Sequence, residues 1–202
     1  MKPPRPKPAA RPAAAARVPA AFLRACRAHE VELTPFTLII QVASQTVALF
    51  ERTPTGGTAG RATFKLRNIF RCSTSRFGLG QVADTNRTPL GLHRIAEKIG
   101  DGEPAGTVFR NRRAVGQAGP GDAAAITTRI LWLDGLEPGF NRSGKVDTHA
   151  RYIYIHGTGD ETTLGRPASR GCIHLAAADL IPLYELLPAG TLVWITAGGR
   201  AK

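Results

Sequence analysis

Residues 152–175 hold the feature that most constrains the fold, an apolar run, a long turn-rich segment and a second apolar run. The first run, residues 152–155, ends at His156, and residues 157–169 contain three glycines and one proline. This pattern predicts a strand, a loop and a second short strand. Such a loop folds Cys172 back beside His156. A thiol next to an imidazole is the minimal activated nucleophile, because the base favours the reactive thiolate.

Two other interpretations of these residues are available. Cysteine is a common buried residue, and a single one is usually inert packing; Gly171 directly before Cys172 and a histidine at the end of an apolar run argue against this. Zinc is the second alternative, because His156, Cys172 and His174 are potential ligands. No CxxC or HxxxH pair supports it. We therefore expect no metal and no cofactor.

The order and spacing of these motifs resemble one family. His-Gly-Thr at residues 156–158, a loop, and Ser-x-Gly-Cys-Ile-x-Leu at residues 169–175 look like the signature of the L,D-transpeptidase catalytic domain of bacterial cell-wall enzymes. The string STSRFGLG…NRTPLGLHRI within residues 73–95 is similar to the family segment in which a Thr-Pro-x-Gly turn feeds a strand. The resemblance implies a mainly β fold, a mixed β-sandwich with one principal helix.

The resemblance also implies a reaction. Cys172 is the expected nucleophile and His156 the expected base. The substrate is then the stem peptide of peptidoglycan, whose terminal D-alanine is expelled as a thioester forms. An amine of a second stem peptide or of an envelope protein lysine takes the acyl group. If water takes it instead, the enzyme is an L,D-carboxypeptidase or amidase, and the sequence does not separate these outcomes.

Further roles at the site are assigned as expectations. The Gly157 carbonyl is expected to orient the imidazole, as a third group does in other triads. The amides of Gly171 and Cys172 are expected to form the oxyanion hole. The expected substrate-binding residues are four neighbours of the motif: Arg170, Ser169, His174 and Thr158.

Two of these residues depart from the family pattern. Arg170 stands where the family often has histidine, and His174 stands where it often has arginine. A guanidinium binds carboxylates through its planar fork, so we expect Arg170 to contact a substrate carboxylate. His93 and His149 are expected to be structural.

Charge divides the chain unevenly. The net charge is +12, and residues 1–29 carry seven basic side chains and no acid. We expect residues 1–32 to form a basic Pro/Ala-rich tail with a disordered start, residues 33–197 the catalytic domain, and residues 198–202 a short tail. A non-enzymatic module that binds nucleic acid or an envelope polymer is the alternative. The aromatic residues do not cluster with the basic tail, so nucleic acid is not the expected partner.

The sequence shows neither the continuous apolar stretch of a signal peptide nor the ~20 apolar residues of a membrane span. The family resemblance nevertheless implies the cell envelope or periplasm as the place of action. The oligomeric state is not predicted. Cys26, Cys72 and Cys172 lie too far apart in the chain to suggest a disulfide framework.

Hydrophobic periodicity predicts the remaining elements. Residues 100–125 are expected to form a surface loop, because they are rich in glycine, proline and charge. One helix is expected to begin at residues 178–180, since Pro182 is tolerated only near the first turn. Strands are predicted at residues 37–42, 46–50, 64–72, 92–98, 127–133, 152–155 and 191–196.

Overall fold

The computed structural model describes residues 17–53, 62–119, 121–123 and 125–198. These residues form two α-helices, ten strands and two short 3-10 turns at residues 144–146 and 161–163. The helices and strands are α1 (Ala20–Ala28), β1 (Phe36–Gln41), β2 (Thr46–Thr53), β3 (Thr63–Ser73), β4 (Gly91–Ile99), β5 (Thr107–Arg110), β6 (Arg113–Gln117), β7 (Ile126–Gly135), β8 (Tyr154–Thr158), β9 (Ile173–Leu175), α2 (Ala177–Leu186) and β10 (Leu192–Thr196).

The strands form one continuous sheet that closes on itself. Their order is β4-β10-β1-β2-β3-β9-β8-β7-β5-β6, and a further pairing of β4 with β7 closes the ring. The pairs β1–β10 and β8–β9 are parallel, whereas the other pairs are antiparallel. The mainly β, mixed β-sandwich predicted from the sequence is thereby confirmed.

The main core lies inside the closed sheet and is completed by α2. Leu180, Leu183 and Tyr184 of this helix join a cluster of buried side chains from the strands. Ile155 of β8 and Ile173 of β9 belong to the same cluster and are fully buried. Burial of an aliphatic side chain stabilises the fold by roughly 1.5–3 kcal/mol. The two strands that carry the site residues are therefore anchored from the core side.

The predicted strands are found, but three local predictions were wrong. Residues 100–125 are not only loop, because β5 and β6 form a hairpin in which a turn at Asn111 and Arg112 has positive φ at both residues. Asn tolerates this conformation, and the abundance of glycine, proline and charge in the segment misled the prediction toward loop. The strand predicted to end at His156 continues to Thr158 as β8, since β7 on one side supplies partners up to that residue.

Pro182 lies deeper in α2 than predicted. The helix begins at Ala177, so the proline is its sixth residue. A proline there leaves the carbonyl of Ala178 without its helical donor. Both residues are on the exposed side of the helix, where water supplies the missing donor. The cost of the proline is therefore small enough for a ten-residue helix to tolerate.

The α1 helix packs on the outer face of the sheet. Phe22 is 0% and Cys26 3% exposed, within an apolar cluster formed with β1, β2, β4 and β10. The Phe22 ring meets Phe64 and Trp194 edge-on, with ring centroids 6.3 Å apart in each pair. Residues 20–28, predicted to precede the domain, are thus part of its packing. The predicted tails at residues 1–16 and 199–202 lie outside the described residues. Of the helices in the described part of the chain, none has the length and apolar character of a membrane span.

The packing of α1 can be tested with one substitution. Phe22→Ala is expected to lower the free energy of unfolding by about 3–5 kcal/mol, because a fully buried aromatic side chain is removed. Arg24→Ala, on the exposed side of the same helix, is the matched control and should change stability by less than about 0.5 kcal/mol. Urea unfolding followed by circular dichroism measures both. Equal stability of the two variants would show that α1 does not dock on the sheet in solution.

Candidate active site

The register of β8 and β9 places the predicted site residues on one face. In this parallel pair His156 lies opposite His174, and Ile155 lies opposite Ile173. Successive side chains of a strand point to opposite faces. The two isoleucines enter the core, so the two histidines and Cys172, which precedes β9, share the other face. The predicted loop therefore does bring Cys172 and His156 to one site.

The thiol of Cys172 is partly exposed and is held by the backbone of the segment before β8. Its Sγ accepts a hydrogen bond from the Tyr154 amide at 3.4 Å and donates to the Tyr152 carbonyl at 3.5 Å. Tyr152 has φ +55°, in the left-handed region that a tyrosine seldom occupies. Strain of this kind is concentrated at functional sites.

Gly171 gives the turn before the nucleophile its shape. Its φ is +124°, a conformation open to glycine, and a Cβ there would lie 3.2 Å from Ile153 Cδ1. Its carbonyl accepts from Thr88 Oγ1 at 2.9 Å. Its amide donates to Ser169 Oγ at 3.2 Å, and that hydroxyl donates to the Cys172 carbonyl at 2.6 Å.

These hydrogen bonds correct two expectations. The Gly171 amide was expected in the oxyanion hole, but it is engaged by Ser169. Ser169, expected to bind substrate, is 2% exposed and uses its hydroxyl to fix the cysteine turn. The amide of Cys172, in contrast, makes no hydrogen bond with any described residue. It is the one amide of the pair that remains available.

His156 is buried with a defined orientation. Its Nδ1 lies 2.7 Å from the Gly157 carbonyl, the contact expected for an orienting group. A carbonyl only accepts, so Nδ1 carries the proton and Nε2 is the free base. Burial, and then the neighbouring His174, lower the pKa of His156 to about 3, against the opposing effect of the Gly157 carbonyl. The imidazole is therefore neutral at physiological pH.

The thiol is also neutral at rest, contrary to expectation. Burial raises the pKa of Cys172 to about 11, although the Tyr154 hydrogen bond and the charge of Arg151 lower it in part. An imidazolium beside the sulfur was expected to lower the pKa below its ordinary value. Because His156 is neutral, that cation is absent, and neither hydrogen bond of Sγ goes to an imidazole. The resting pair is a thiol and a neutral base.

His174 is the partner of His156 rather than of the thiol. The two rings are tilted at 54° with centroids 4.7 Å apart. Burial lowers the pKa of His174 to about 4, and its Nδ1 has no hydrogen-bond partner among the described residues. The ring is therefore neutral, and its Nδ1 is a buried polar atom that the described residues leave unpaired. In the described part of the chain, no group of three His, Cys, Asp or Glu side chains has an arrangement suited to a metal ion.

A cavity of about 550 Å³ opens over these residues. Thr158 borders it, but its hydroxyl donates to the Ala123 carbonyl at 3.2 Å and accepts from the Asp160 amide at 3.2 Å, so it shapes the loop. Sequence reasoning missed four polar residues of the wall. The lining includes, besides His156, Cys172, His174, Ser169, Thr158 and Arg170, the residues Arg76, Asp160, Thr163 and Arg166.

Signals for the missed residues were present but weak. Arg76 directly follows the Ser-Thr-Ser segment, and Arg166 lies in the long loop before the cysteine motif. Together with Arg170 they give the cavity three exposed guanidiniums. Only the fold shows that the two distant segments meet.

His93 and His149 lie outside this cavity. His93 is fully buried, with Nδ1 3.0 Å from the Gly91 carbonyl and Nε2 3.2 Å from Thr148 Oγ1. His149 stacks on Trp132 with centroids 3.9 Å apart. Both contacts are of the structural kind predicted from the sequence.

The mixed β-sandwich brings a histidine of β8 and a cysteine just before β9 to one cavity. The sequence model of the YkuD family, the L,D-transpeptidase catalytic domain, matches residues 37–195. The chain therefore belongs to the L,D-transpeptidase catalytic domain family, as the sequence motifs predicted.

Individual relatives are similar over shorter stretches. YqjB of Bacillus subtilis, named as a candidate L,D-transpeptidase, is 36% identical over 63 residues, which is 31% of this chain and 34% of that protein. YkuD of Bacillus licheniformis, named likewise, is 43% identical over 42 residues, 21% of this chain and 26% of that protein. These matches span about a third or less of either relative.

Solved structures give a likeness of fold. Bd1075 of Bdellovibrio bacteriovorus has a TM-score of 0.53 at 13% identity, over 82% of this chain and 49% of that one. L,D-transpeptidase 3 of Mycobacterium tuberculosis, solved with a faropenem-derived adduct, has a TM-score of 0.47 at 15% identity, over 80% and 60% of the two chains.

Proposed function

We propose that this protein is a cysteine acyltransferase acting on the stem peptides of peptidoglycan, an L,D-transpeptidase. The observation that carries the proposal is the meeting of Cys172 and His156 at one cavity, in a chain that belongs to the L,D-transpeptidase catalytic domain family. The cavity of about 550 Å³ is large enough for a peptide segment. The same family membership makes the cell envelope the proposed place of action.

In the first half-reaction His156 Nε2 takes the proton of the Cys172 thiol as Sγ attacks a peptide carbonyl. The carbon becomes tetrahedral, and negative charge develops on its oxygen. The free amide of Cys172 is the proposed donor to that oxygen, a contribution of roughly 3–4 kcal/mol in other acyl-transfer enzymes. Collapse expels D-alanine, whose amine takes the proton from His156, and leaves a thioester on Cys172.

In the second half-reaction an amine attacks the thioester. His156, again neutral, takes a proton from the entering amine as the C–S bond breaks, and it passes that proton to the leaving Sγ, which restores the thiol and the neutral imidazole. A second stem peptide or an envelope protein lysine is the proposed acceptor. Water in place of the amine makes the protein an L,D-carboxypeptidase or amidase, and the same acyl-enzyme serves all these reactions.

The three guanidiniums of the cavity wall indicate an anionic substrate. Arg76, Arg166 and Arg170 are exposed and lack ion-pair partners among the described residues, while Asp160 is the one acidic side chain of the wall. Stem peptides carry free carboxylates, for which an arginine fork is suited. Arg170, beside the cysteine turn, is the proposed carboxylate contact.

Arg170→Ala is expected to raise KM for a carboxylate-bearing stem peptide by about tenfold with little change in kcat, because a uniform binding contact is lost. Lys145→Ala, an exposed cation outside the cavity, is the matched control and should leave both constants unchanged. Steady-state kinetics of D-alanine release measure the effect. An equal fall in kcat at constant KM would instead assign Arg170 to the transition state.

The proposed function is tested by incubating the protein with purified muropeptides and identifying products by mass spectrometry. Cross-linked dimers together with free D-alanine support transpeptidation. Trimmed monomers without dimers, at saturating acceptor, support the carboxypeptidase alternative. Unchanged muropeptides, together with no covalent adduct on the protein after addition of a carbapenem, would contradict both.

A further inference from the structure

Arg151 lies beside the cysteine turn, on backbone outside the cavity wall. Its Nη1 donates to the Gly80 carbonyl at 3.3 Å and its Nη2 to the Arg87 carbonyl at 2.6 Å. The same Arg87 carbonyl is 3.5 Å from the place a Cβ would take at Gly171. The guanidinium is therefore fixed by rigid backbone next to the residue that precedes the nucleophile.

The charge of Arg151 is not neutralised by a salt bridge. None of the ion pairs formed by the described residues includes it, although the side chain is half-buried. Its two partners are carbonyls, which solvate a cation but carry no net charge. Burial lowers the pKa of Arg151, and the charges of Cys172 and of the exposed carboxylate Asp84 oppose that lowering only in part. A half-buried cation without an ion pair is costly and calls for a compensating role.

The backbone that follows Arg151 contacts the thiol. Sγ is 3.5 Å from the carbonyl of Tyr152, the residue that follows Arg151 in the chain. The charge of Arg151 lowers the pKa of Cys172, in opposition to burial. The Tyr154 amide, the other group that favours the thiolate, is a neutral donor.

The other titratable groups around the sulfur do not supply this charge at neutral pH. His156 and His174 have pKa values lowered to about 3 and about 4 by burial, so both are neutral. Burial raises the pKa of the Tyr154 phenol above its ordinary value, so this side chain is uncharged at neutral pH. Arg112 is another nearby cation, but its guanidinium lies over the Trp132 and Tyr152 rings, at 4.9 and 5.4 Å from their centroids. The guanidiniums of Arg76, Arg166 and Arg170 line the same cavity as Cys172 and are exposed to solvent, which screens their charge.

We propose that Arg151 is the fixed counter-charge of the Cys172 thiolate. When the thiol gives its proton to His156 Nε2, negative charge forms on Sγ, and the guanidinium stabilises that charge without itself moving a proton. In a catalytic thiol–imidazolium pair, the imidazole both accepts the proton and stabilises the thiolate. Here His156 accepts the proton, and the permanently charged Arg151 stabilises the thiolate. Arg151 acts through the sulfur, so it is a positioning residue. The inference rests on the proposed nucleophilic role of Cys172.

The test is the pH profile of Cys172 alkylation by iodoacetamide, read by peptide mass spectrometry, which needs no substrate. Arg151→Gln keeps neutral N–H donors for the two carbonyls and removes the charge, whereas Arg151→Lys keeps the charge. Arg87→Gln removes a guanidinium from the same loop but keeps the carbonyl that Arg151 binds, and is the matched control. Arg151→Gln is expected to alkylate about tenfold more slowly at any pH below the thiol pKa, a displacement of one pH unit.

Arg151→Lys and Arg87→Gln are expected to keep the wild-type profile. A lowered melting temperature of Arg151→Gln with an unmoved alkylation profile would reduce Arg151 to a structural role and overturn the inference. If Arg87→Gln displaces the alkylation profile as much as Arg151→Gln does, the effect comes from the net charge of the protein, and this too would overturn the inference. If Arg151→Gln does not fold, Arg151→Lys decides, since slowed alkylation in a folded lysine variant contradicts a role for charge. If Arg151→Gln displaces the alkylation profile but the wild-type protein forms no acyl-enzyme, the inference about Arg151 stands and the proposed function fails.

Discussion

Cys172→Ala is expected to fold as the wild type does and to form no acyl-enzyme, with either a stem peptide or a carbapenem. The loss should be complete in intact-protein mass spectrometry, because the sulfur is the atom that forms the covalent bond in the proposed reaction. Stability should change little. The Cys172 side chain is partly exposed at the cavity wall, and its only hydrogen bonds among the described residues are long contacts of 3.4 and 3.5 Å to backbone.

The matched control is Cys26→Ala. Cys26 lies on the packed face of α1 and is 3% exposed, and burial raises the pKa of its thiol to about 11, so it is a packing residue. This variant is expected to lose some stability and to retain the acyl-enzyme. An adduct on the Cys172→Ala protein would place the nucleophile elsewhere. If Cys26→Ala and Cys172→Ala both fold and both fail to form the acyl-enzyme, the experiment would not distinguish Cys172 as the nucleophile.

The sequence predicted the site because its residue types and spacing lie within one short stretch. His156 and Cys172 are separated by a single loop, and the isoleucines beside them mark the two strands. What could not be predicted depends on distant segments. Thr88 donates a hydrogen bond to Gly171, which is 83 residues later in the chain. Arg151 donates to the Arg87 carbonyl, 64 residues earlier in the chain, and that carbonyl lies beside Gly171. No local pattern encodes such contacts.

Electrostatics was the less predictable part of the site. The spacing indicates that a thiol and an imidazole are near each other, and a lowered thiol pKa was expected from that alone. The structure adds that His156 is buried and Cys172 partly buried, and loss of hydration disfavours both the thiolate and the imidazolium. Ser169 shows the same limit in another way. Its motif position suggests a substrate contact, yet the fold buries it and directs its hydroxyl to the cysteine turn.

His156→Gln is expected to slow acylation of Cys172 by about 10²–10⁴-fold, the usual contribution of a positioned general base. Glutamine retains a donor for the Gly157 carbonyl and fills most of the buried space, so the fold should persist. His174→Gln is the comparison, because the half-buried His174 lies beside His156 but its Nδ1 has no hydrogen-bond partner among the described residues. Stopped-flow measurement of carbapenem acylation should show a much smaller effect in His174→Gln. Equal losses in the two variants would mean that the pair, rather than His156, acts as the base.

The pH dependence of wild-type acylation tests the same base independently. A general base works only when unprotonated, so its rate falls as pH drops below its pKa. A base with the ordinary histidine pKa of about 6.5 would lose about fivefold in rate between pH 6.5 and 5.5. Because burial lowers the pKa of His156 to about 3, the rate attributable to this base should stay level from pH 7 down to about 5. An acid limb centred near pH 6.5 would show that the imidazole is hydrated in solution, and that the buried neutral base described above does not persist in the working enzyme.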